Sequence, residues 1–386
     1  MRKIAVAVHR YLGLALGLFL LVSGLSGSLL VFEREIDAAL NPALLKVAIP
    51  PTAATAAPAM ELDTLLQNAR QAVPDRTPRF VFMPPAAGDA AEVMFHPESI
   101  RLHADPYTGA ILGQRHPTES FTGFLTDLHI HLLAGHTGEQ VMGWAGMGAL
   151  ALCGLGVVLW WPRPGGWKRA FSVKWHAAAF RVWFDTHRVA GAASVAFILV
   201  TALTGTALAL YEVVTEPALI AITGEGTRRP PPKSTLHDAS PASAAPIDAM
   251  LARAASLYPA GRITRITLPL KPAEAVAIRM RQDGEIHQFG RTFLWFDQYN
   301  GNLLRVDDAL QANTAARIQS WLYPLHTGTY GGLLTQCLQV LVGLALSFLT
   351  ASGIWMWIKR TRAKATVAAR RDNGVRIPDG GFSEPR

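Results

Sequence analysis

The sequence is poor in cysteine and in charge. Its 386 residues include two cysteines, Cys153 and Cys337, and both fall inside apolar runs, where we interpret them as small core residues. A disulfide framework is therefore excluded, and the lack of a C-x-x-C-H motif argues against covalently attached haem. Charged residues make up 17% of the chain, against about 25% in a typical soluble domain. This composition indicates a membrane protein.

The apolar residues are concentrated in four runs, none of which contains an acidic residue. A helix rises about 1.5 Å per residue and needs about 20 apolar residues to cross a ~30 Å hydrocarbon core. The runs therefore predict four transmembrane helices, and the absence of acidic residues and of prolines that would break a span disfavours a transporter. The runs are Tyr11–Phe32, Val141–Trp161, Val189–Tyr211 and Leu333–Ile358.

Basic residues lie beside these runs and predict the orientation of the chain. The sequence has 36 Lys and Arg against 28 Asp and Glu, a net charge of +8. The basic residues gather at the N-terminus, between the second and third runs, and after the fourth. The positive-inside rule then places those segments in the cytoplasm. We expect a multi-pass protein of a bacterial inner membrane, with both termini cytoplasmic and no nucleic-acid partner.

The runs divide the chain into eight predicted segments. Each long segment outside the membrane contains a Pro- and Ala-rich linker, at 42–60 and 229–246, followed by a helix and by strands around a tight turn. We predict a membrane α-helical fold in two tandem halves, with two small α+β modules. The predicted segments are 1–33 (transmembrane helix 1), 34–125 (periplasmic module 1), 126–162 (transmembrane helix 2), 163–186 (cytoplasmic loop), 187–212 (transmembrane helix 3), 213–322 (periplasmic module 2), 323–360 (transmembrane helix 4) and 361–386 (cytoplasmic tail).

A long internal repeat underlies the prediction of two halves. The interval from His129 to Trp160 equals the interval from His326 to Trp357, and both enclose an apolar run. A repeat of this length without a gap indicates two copies of one structural unit. Two histidines at one depth on two membrane helices suggest a ligand shared between those helices.

A second repeat links the first and third runs. His9 and His187 each precede a glycine-rich run, and the residues that follow them match at one constant offset. We interpret small residues in these runs, such as Gly24 and Gly205, as sites where helices pack closely.

Together these motifs resemble the PepSY-associated transmembrane family over roughly residues 1–362. The resemblance is closest to inner-membrane siderophore reductases of the ferrioxamine type. It implies four spans, two periplasmic PepSY-like modules, two b-type haems and reduction of ferric siderophores. The motifs that carry it are His9-Arg10 and His187-Arg188 before glycine-rich spans, Asp105-Pro106-Tyr107-Thr108-Gly109 and Asp297-Gln298-Tyr299-Asn300-Gly301 at turns, and Leu128-His129 and Leu325-His326 before spans that end in Trp.

The positions of four histidines predict two haem sites. His9 and His187 lie at the cytoplasmic ends of the first and third runs, whereas His129 and His326 lie on the outer side of the second and fourth. Neutral imidazole is a common axial ligand of haem iron, and two imidazoles can bind the two faces of one haem. We therefore expect two non-covalent haem b groups, one in each leaflet.

Other residues remain alternatives at these sites. His136 shares a helix face with His129, and His136-Thr137-Gly138 echoes His326-Thr327-Gly328, so His136 could be the outer ligand. His131 is a second outer alternative, and His176 competes with His187. Arg10 and Arg188 either contact haem propionates or anchor the helices in the headgroups. A continuous helix from Leu128 would exceed the hydrocarbon core, so either His129 lies in the headgroup layer or that helix starts later.

We expect the protein to be a ferric-siderophore reductase. An electron from quinol or a cytoplasmic reductase would reach periplasmic ferric siderophore, and release of Fe²⁺ would follow because oxygen chelators hold Fe²⁺ less tightly than Fe³⁺. The sequence identifies no catalytic side chain beyond the haem ligands. The alternative is a haem-free PepSY-type membrane protein with a binding or regulatory role, whose histidines lie at the membrane interface.

Overall fold

The computed structural model describes residues 1–50, 61–227, 229–235 and 245–372, with side chains described as far as Val367. The predicted linkers 42–60 and 229–246 and the tail 361–386 fall partly outside these residues. The chain forms two compact units. The helical unit comprises residues 1–28, 144–203 and the chain from Leu341 onward, and the sheet unit comprises Leu29–Gly143 and Thr204–Val340.

Helices and strands alternate in blocks along the chain. The helices are α1 (Arg2–Leu30), α2 (Glu33–Leu40), α3 (Pro42–Leu45), α4 (Leu62–Ala72), α5 (Phe121–His131), α6 (Gly135–Trp160), α7 (Trp167–Ala170), α8 (Ala179–Ala209), α9 (Glu216–Thr223), α10 (Ile247–Leu257), α11 (Thr314–Thr327) and α12 (Gly332–Asp372). The strands are β1 (Thr77–Phe82), β2 (Ala91–His96), β3 (Arg101–Ala104), β4 (Ile111–Arg115), β5 (Arg262–Thr267), β6 (Val276–Arg281), β7 (Thr292–Phe296) and β8 (Leu303–Asp307).

Four helices within the described residues are long and apolar enough to cross a membrane, namely α1, α6, α8 and α12. Their most apolar windows have mean hydropathies of 1.8 to 2.0. The prediction of four spans is thereby confirmed at the level of length and composition. Two ends differ from the predicted segments, since α8 begins at Ala179 rather than at residue 187, and α12 continues past residue 360.

Two of the predicted spanning segments are interrupted. Instead of one helix over 126–162, α5 ends at His131 and α6 begins at Gly135, because Leu132 and Leu133 adopt left-handed backbone angles with φ of 50° and 59°. The structure thus agrees with the alternative in which the second membrane helix starts after His129. Glycine at position 328, with φ of 77°, similarly ends α11 before α12 begins.

In the helical unit, α1 and α12 approach each other through small residues. A Cβ added to Gly24 would lie 2.5 Å from Ser347 Oγ and 2.7 Å from the carbonyl oxygen of Gly343. Any larger residue at position 24 would force the two backbones apart. The prediction that Gly24 mediates close helix packing is confirmed.

The strands form one continuous antiparallel sheet in the order β4-β3-β2-β1-β5-β6-β7-β8. The sequence predicted two small α+β modules, and each predicted region contains a four-stranded meander that follows one helix, α4 or α10, besides other short helices. The two meanders join where β1 pairs with β5, with Val81 opposite Ile266. An isolated meander would expose the unpaired edge of β1 or β5, and pairing these two strands removes both edges.

One face of the sheet carries the hydrophobic core, beneath α4 and α10. The sequence places its apolar residues on alternate strand positions and on one face of each helix, so both patterns bury the same interior. The largest fully buried side chains include Leu62, Leu65, Leu66, Phe95, Met250, Ile266, Ile278, Leu294 and Phe296.

The N-termini of α4 and α10 cap each other through two aspartates. The Asp248 carboxylate accepts the backbone N–H groups of Leu62 and Asp63 at 2.9 and 3.0 Å. The Asp63 carboxylate in turn accepts those of Ile247 and Asp248. Each carboxylate thus satisfies helix N–H groups that have no partner inside their own helix. Burial and the facing Asp248 raise the pKa of Asp63.

We predict that Asp248→Ala lowers the free energy of unfolding by about 1 kcal/mol, because it removes the acceptor at one helix N-terminus. Thermal unfolding of the purified protein measures this change. Asp283→Ala, at an exposed turn, serves as the control. Equal unfolding temperatures for the two variants would contradict the reciprocal cap.

The buried His103 gives the sheet a pH dependence. Its side chain is 1% exposed, on β3 opposite Glu92 of β2. Burial first, then Arg115 and Arg101, lowers the pKa of His103 from 6.5 to about 4. Below pH 6.5 His103 is protonated in the unfolded chain but stays neutral in the folded chain. The folded state therefore loses stability as the pH falls toward 4.

We predict that the unfolding temperature decreases between pH 6.5 and pH 4 and that His103→Gln weakens this dependence, because Gln is neutral in both states. Thermal unfolding across that pH window tests the effect, with the exposed His116→Gln as the matched control. A His103→Gln variant with the same pH profile as the native protein would show that another group dominates.

Candidate functional site

In the sheet unit, two short helices bring His129 and His326 together. Each histidine lies in the last turn of its helix, α5 or α11, just before the chain enters a long apolar helix. Their ring centroids are 6.2 Å apart, with an interplanar angle of 45°. Since a metal–imidazole bond is about 2 Å long, two imidazoles bonded to opposite sides of one metal have ring centres about 6 Å apart. The separation therefore fits two imidazoles that share one metal ion.

A glycine and a threonine of α8 position the ring of His326. A Cβ on Gly205 would lie 2.7 Å from His326 Cε1, so glycine is required for the ring to approach this closely. Thr204 Oγ1 contacts Nδ1 of His326 at 3.3 Å. The sequence suggested that Gly205 packs against another helix, whereas the structure places it against an imidazole. Such outer contacts fix the orientation of a ligating ring.

In the helical unit, His9 and His187 line one cavity of about 400 Å³. Its other walls are mainly aliphatic and include Leu14, Leu152, Val195, Leu349 and Ile354. Each imidazole lies near a glycine: a Cβ on Gly156 would be 3.6 Å from His9 Cε1, and one on Gly353 would be 3.7 Å from His187 Cε1. A largely apolar cavity with a few polar groups is typical of a cofactor site.

A serine of α12 contacts the ring of His187. Ser352 Oγ lies 2.7 Å from Nδ1 of His187 and 3.0 Å from the carbonyl oxygen of Leu349. When the hydroxyl donates to that carbonyl, Nδ1–H of His187 donates to Ser352, and Nε2 carries the lone pair that binds metals. Nδ1 of His9 is buried and makes no hydrogen bond of normal geometry to any described residue.

The two predicted arginines line the same cavity but differ in their partners. Arg188 forms an ion pair with Asp185 at 3.1 Å and donates to main-chain carbonyls of the preceding loop. The Arg10 guanidinium lies over the Tyr11 ring at 5.0 Å, and its buried Nε has no partner among the described residues. Arg10 is therefore better suited than Arg188 to bind an anionic group inside the cavity.

Sequence reasoning missed Asp185 and Ser352. Asp185 is fully buried and forms ion pairs with Arg181 and Arg188. One signal pointed to it, since it is the only acidic residue between Trp161 and Val189. Nothing in the sequence distinguishes Ser352 from other small residues in its span, because its role depends on which helix faces it.

The alternative histidines lie elsewhere. His136 has a side chain that is 81% exposed and contacts Glu139 at 3.3 Å. His131 contacts Asp127 at 2.9 Å on its own helix, and His176 is exposed in a turn before α8. No group of three or more His, Cys, Asp or Glu suited to a metal ion occurs in the part of the chain that the structure describes. A metal held by one of these histidine pairs would need further ligands besides the two imidazoles.

Four helices that are long and apolar enough to cross a membrane indicate that this chain is a multi-pass membrane protein. The family described as the PepSY-associated TM region matches residues 6–360, and the chain belongs to that family. No curated protein sequence matches the chain.

We predict that Ser352→Ala destabilises the protein by about 1–3 kcal/mol, because it leaves Nδ1 of the buried His187 without its partner. Thermal unfolding measures the loss. Ser194→Ala is the matched control, since Ser194 donates within its helix to Ala190. If both serine variants unfold at the same temperature, the interhelical bond to His187 contributes nothing.

Proposed function

We propose that this protein is a di-haem b electron carrier of the bacterial inner membrane that reduces ferric siderophore on its periplasmic side. The observation that supports this most directly is the 6.2 Å separation of the His129 and His326 rings. Haem, when bound, supplies reversible one-electron oxidation and reduction of its iron. The chain supplies the ligands, their orientation and an apolar surrounding.

The inner site fits a haem group by its chemistry. His9 and His187 line an apolar cavity, Nδ1 of His9 is buried without a normal hydrogen bond, and Ser352 orients His187. Arg10 lines the same cavity and has no carboxylate within ion-pair distance among the described residues, so it can bind a propionate. Two imidazoles, apolar walls and a cation at one cavity are the groups that a non-covalent haem requires.

The direction of electron transfer is inferred from the sequence. Basic residues beside the spans favour cytoplasmic termini, so electrons from quinol or a cytoplasmic reductase would enter at His9 and His187. They would leave at His129 and His326 for a ferric chelate. Iron release follows because oxygen chelators bind Fe²⁺ less tightly than Fe³⁺. The matching helix-and-meander blocks support the proposal of two tandem halves with PepSY-like modules.

We predict that the purified native protein contains two haem groups per chain, measured by absorption spectra of oxidised and reduced samples with haem quantified. His326→Ala should lose about one haem per chain, because one axial ligand is removed. Gly205→Ala should perturb the same haem, because the added methyl group displaces the His326 ring.

His136→Ala is the control and should keep both haems, since its side chain is exposed. A native protein without haem would contradict the proposal and favour the haem-free binding or regulatory alternative. An unchanged spectrum in His326→Ala would contradict the proposed haem site at His129 and His326.

A further inference from the structure

The face of the sheet opposite α4 and α10 carries arginines and aromatic rings. Strand register places Phe82, Arg265, Arg279 and Phe293 in one row across β1, β5, β6 and β7. These side chains point away from the core, because their neighbours Val81, Ile266 and Ile278 are buried beneath the helices. The arginine–aromatic face is defined here as Phe80, Phe82, Arg265, Arg279, Phe293 and Trp295.

The two arginines of this face lie opposite each other on neighbouring strands, and neither forms an ion pair with a described residue. Arg265 and Arg279 are direct cross-strand neighbours, an arrangement that destabilises a sheet when the charges are alike. Among the described residues, neither guanidinium has a carboxylate within 4 Å. Nε of Arg265 is buried without a hydrogen bond. Arg279 donates to the carbonyl of Gly290 and contacts Nδ1 of His287, which are both neutral groups.

Aromatic rings flank both charges. Arg265 lies over the ring of Phe80 at 5.0 Å, and Arg279 lies over that of Phe293 at 5.8 Å. Phe293 and Trp295 stack with centroids 6.0 Å apart and an interplanar angle of 25°. All of these side chains are only partly buried. A flat aromatic anion could therefore contact both the rings and the guanidinium groups.

The equivalent face in the first half of the sheet is covered. There, α3 packs on β3 and β4, and Asp37 of α2 pairs with Arg115 of β4 in two hydrogen bonds. In the second half, the helix that follows the membrane span, α9, packs against α11. Among the described residues, no carboxylate pairs with Arg265 or Arg279 as Asp37 does with Arg115. Asp307 of β8 lies opposite Phe293 in the same row, where its carboxylate accepts from Trp295 and Arg305.

A chain of contacts leads from this face to the outer histidine pair. Arg279 Nη2 lies 3.4 Å from His287 Nδ1. The His287 ring stacks on Tyr323, with centroids 5.3 Å apart and planes at 19°. Tyr323 precedes His326 by three residues in α11, so the two side chains are neighbours on that helix. A molecule bound at the arginine–aromatic face would lie next to the element that carries His326.

Both arginines are available as cations at neutral pH. Burial, then Arg265 and Arg291, lowers the pKa of Arg279 to about 10, which still leaves the group protonated at pH 7. Burial and Arg79 lower the pKa of Arg265. A bound anion would offset both the burial and the nearby cations that lower these pKa values.

We propose that the arginine–aromatic face binds an anionic ferric chelate whose iron-binding groups are aromatic, of the catecholate class. This inference rests on the proposed reductase function and specifies its substrate. Iron(III) held by three catecholate dianions carries three negative charges and presents flat rings. Iron(III) held by three hydroxamates is neutral, and its iron-binding groups are not aromatic rings. It therefore matches neither the charge nor the aromatic side chains of the face. The inferred class therefore differs from the ferrioxamine type suggested by resemblance.

Binding is tested with gallium(III) complexes, which mimic iron(III) but cannot be reduced under these conditions. Titration calorimetry on the full-length purified protein compares a gallium tricatecholate with a neutral gallium trihydroxamate. The native protein should bind the tricatecholate more tightly. Arg265→Gln or Arg279→Gln should each weaken binding about tenfold, since hydrogen bonds to charged groups typically contribute that much. The double variant should bind the tricatecholate about a hundredfold more weakly than the native protein does.

Arg253→Gln, on the exposed side of α10, is the matched control and should bind as the native protein does. The double variant should also unfold at a higher temperature, because two repelling charges are gone, and this result excludes misfolding as the cause of lost binding. Affinity within twofold of native in the double variant, or a preference for the trihydroxamate, would overturn the inference. Arginine-dependent binding by a protein without haem would refute electron transfer while upholding this binding site.

Discussion

The candidate site depends on one constraint, which is that the rings of two histidines are held with their centroids 6.2 Å apart. His129 and His326 achieve it because each ends a short helix that stops before the following long one begins. The chain turns at Leu132 and at Gly328, directly after these two helix ends, and the ring planes meet at 45°. Gly205 then admits the His326 ring, and Thr204 orients it.

The pair of His9 and His187 in the helical unit also depends on small residues. Gly24 allows close contact between α1 and α12, and Ser352 on α12 contacts His187 on α8. Small residues therefore have two roles. Gly24 lets two helix backbones approach each other, and Gly205 leaves room for an imidazole ring. A side chain larger than glycine at position 24 or 205 would disturb the helix contact or the ring, respectively.

The sequence alone predicted the four spans and the repeated histidine positions, because both follow from apolar run length and constant spacing. The pairing of β1 with β5 could not be predicted, since either strand edge could equally have met solvent or another partner. The helix interruption at Leu132 was also hidden, because nothing about two leucines signals a left-handed turn. Asp185 and Ser352 acquire their roles only from the helices opposite them, which local sequence does not specify.

Low-temperature electron paramagnetic resonance of the oxidised native protein tests the central claim most directly, since it reports the axial ligands of each ferric haem. The account predicts two low-spin signals of the kind that two imidazole ligands produce, one from each histidine pair. A high-spin signal, which indicates a missing axial ligand, would contradict the paired arrangement. The absence of any ferric haem signal would contradict the account as a whole.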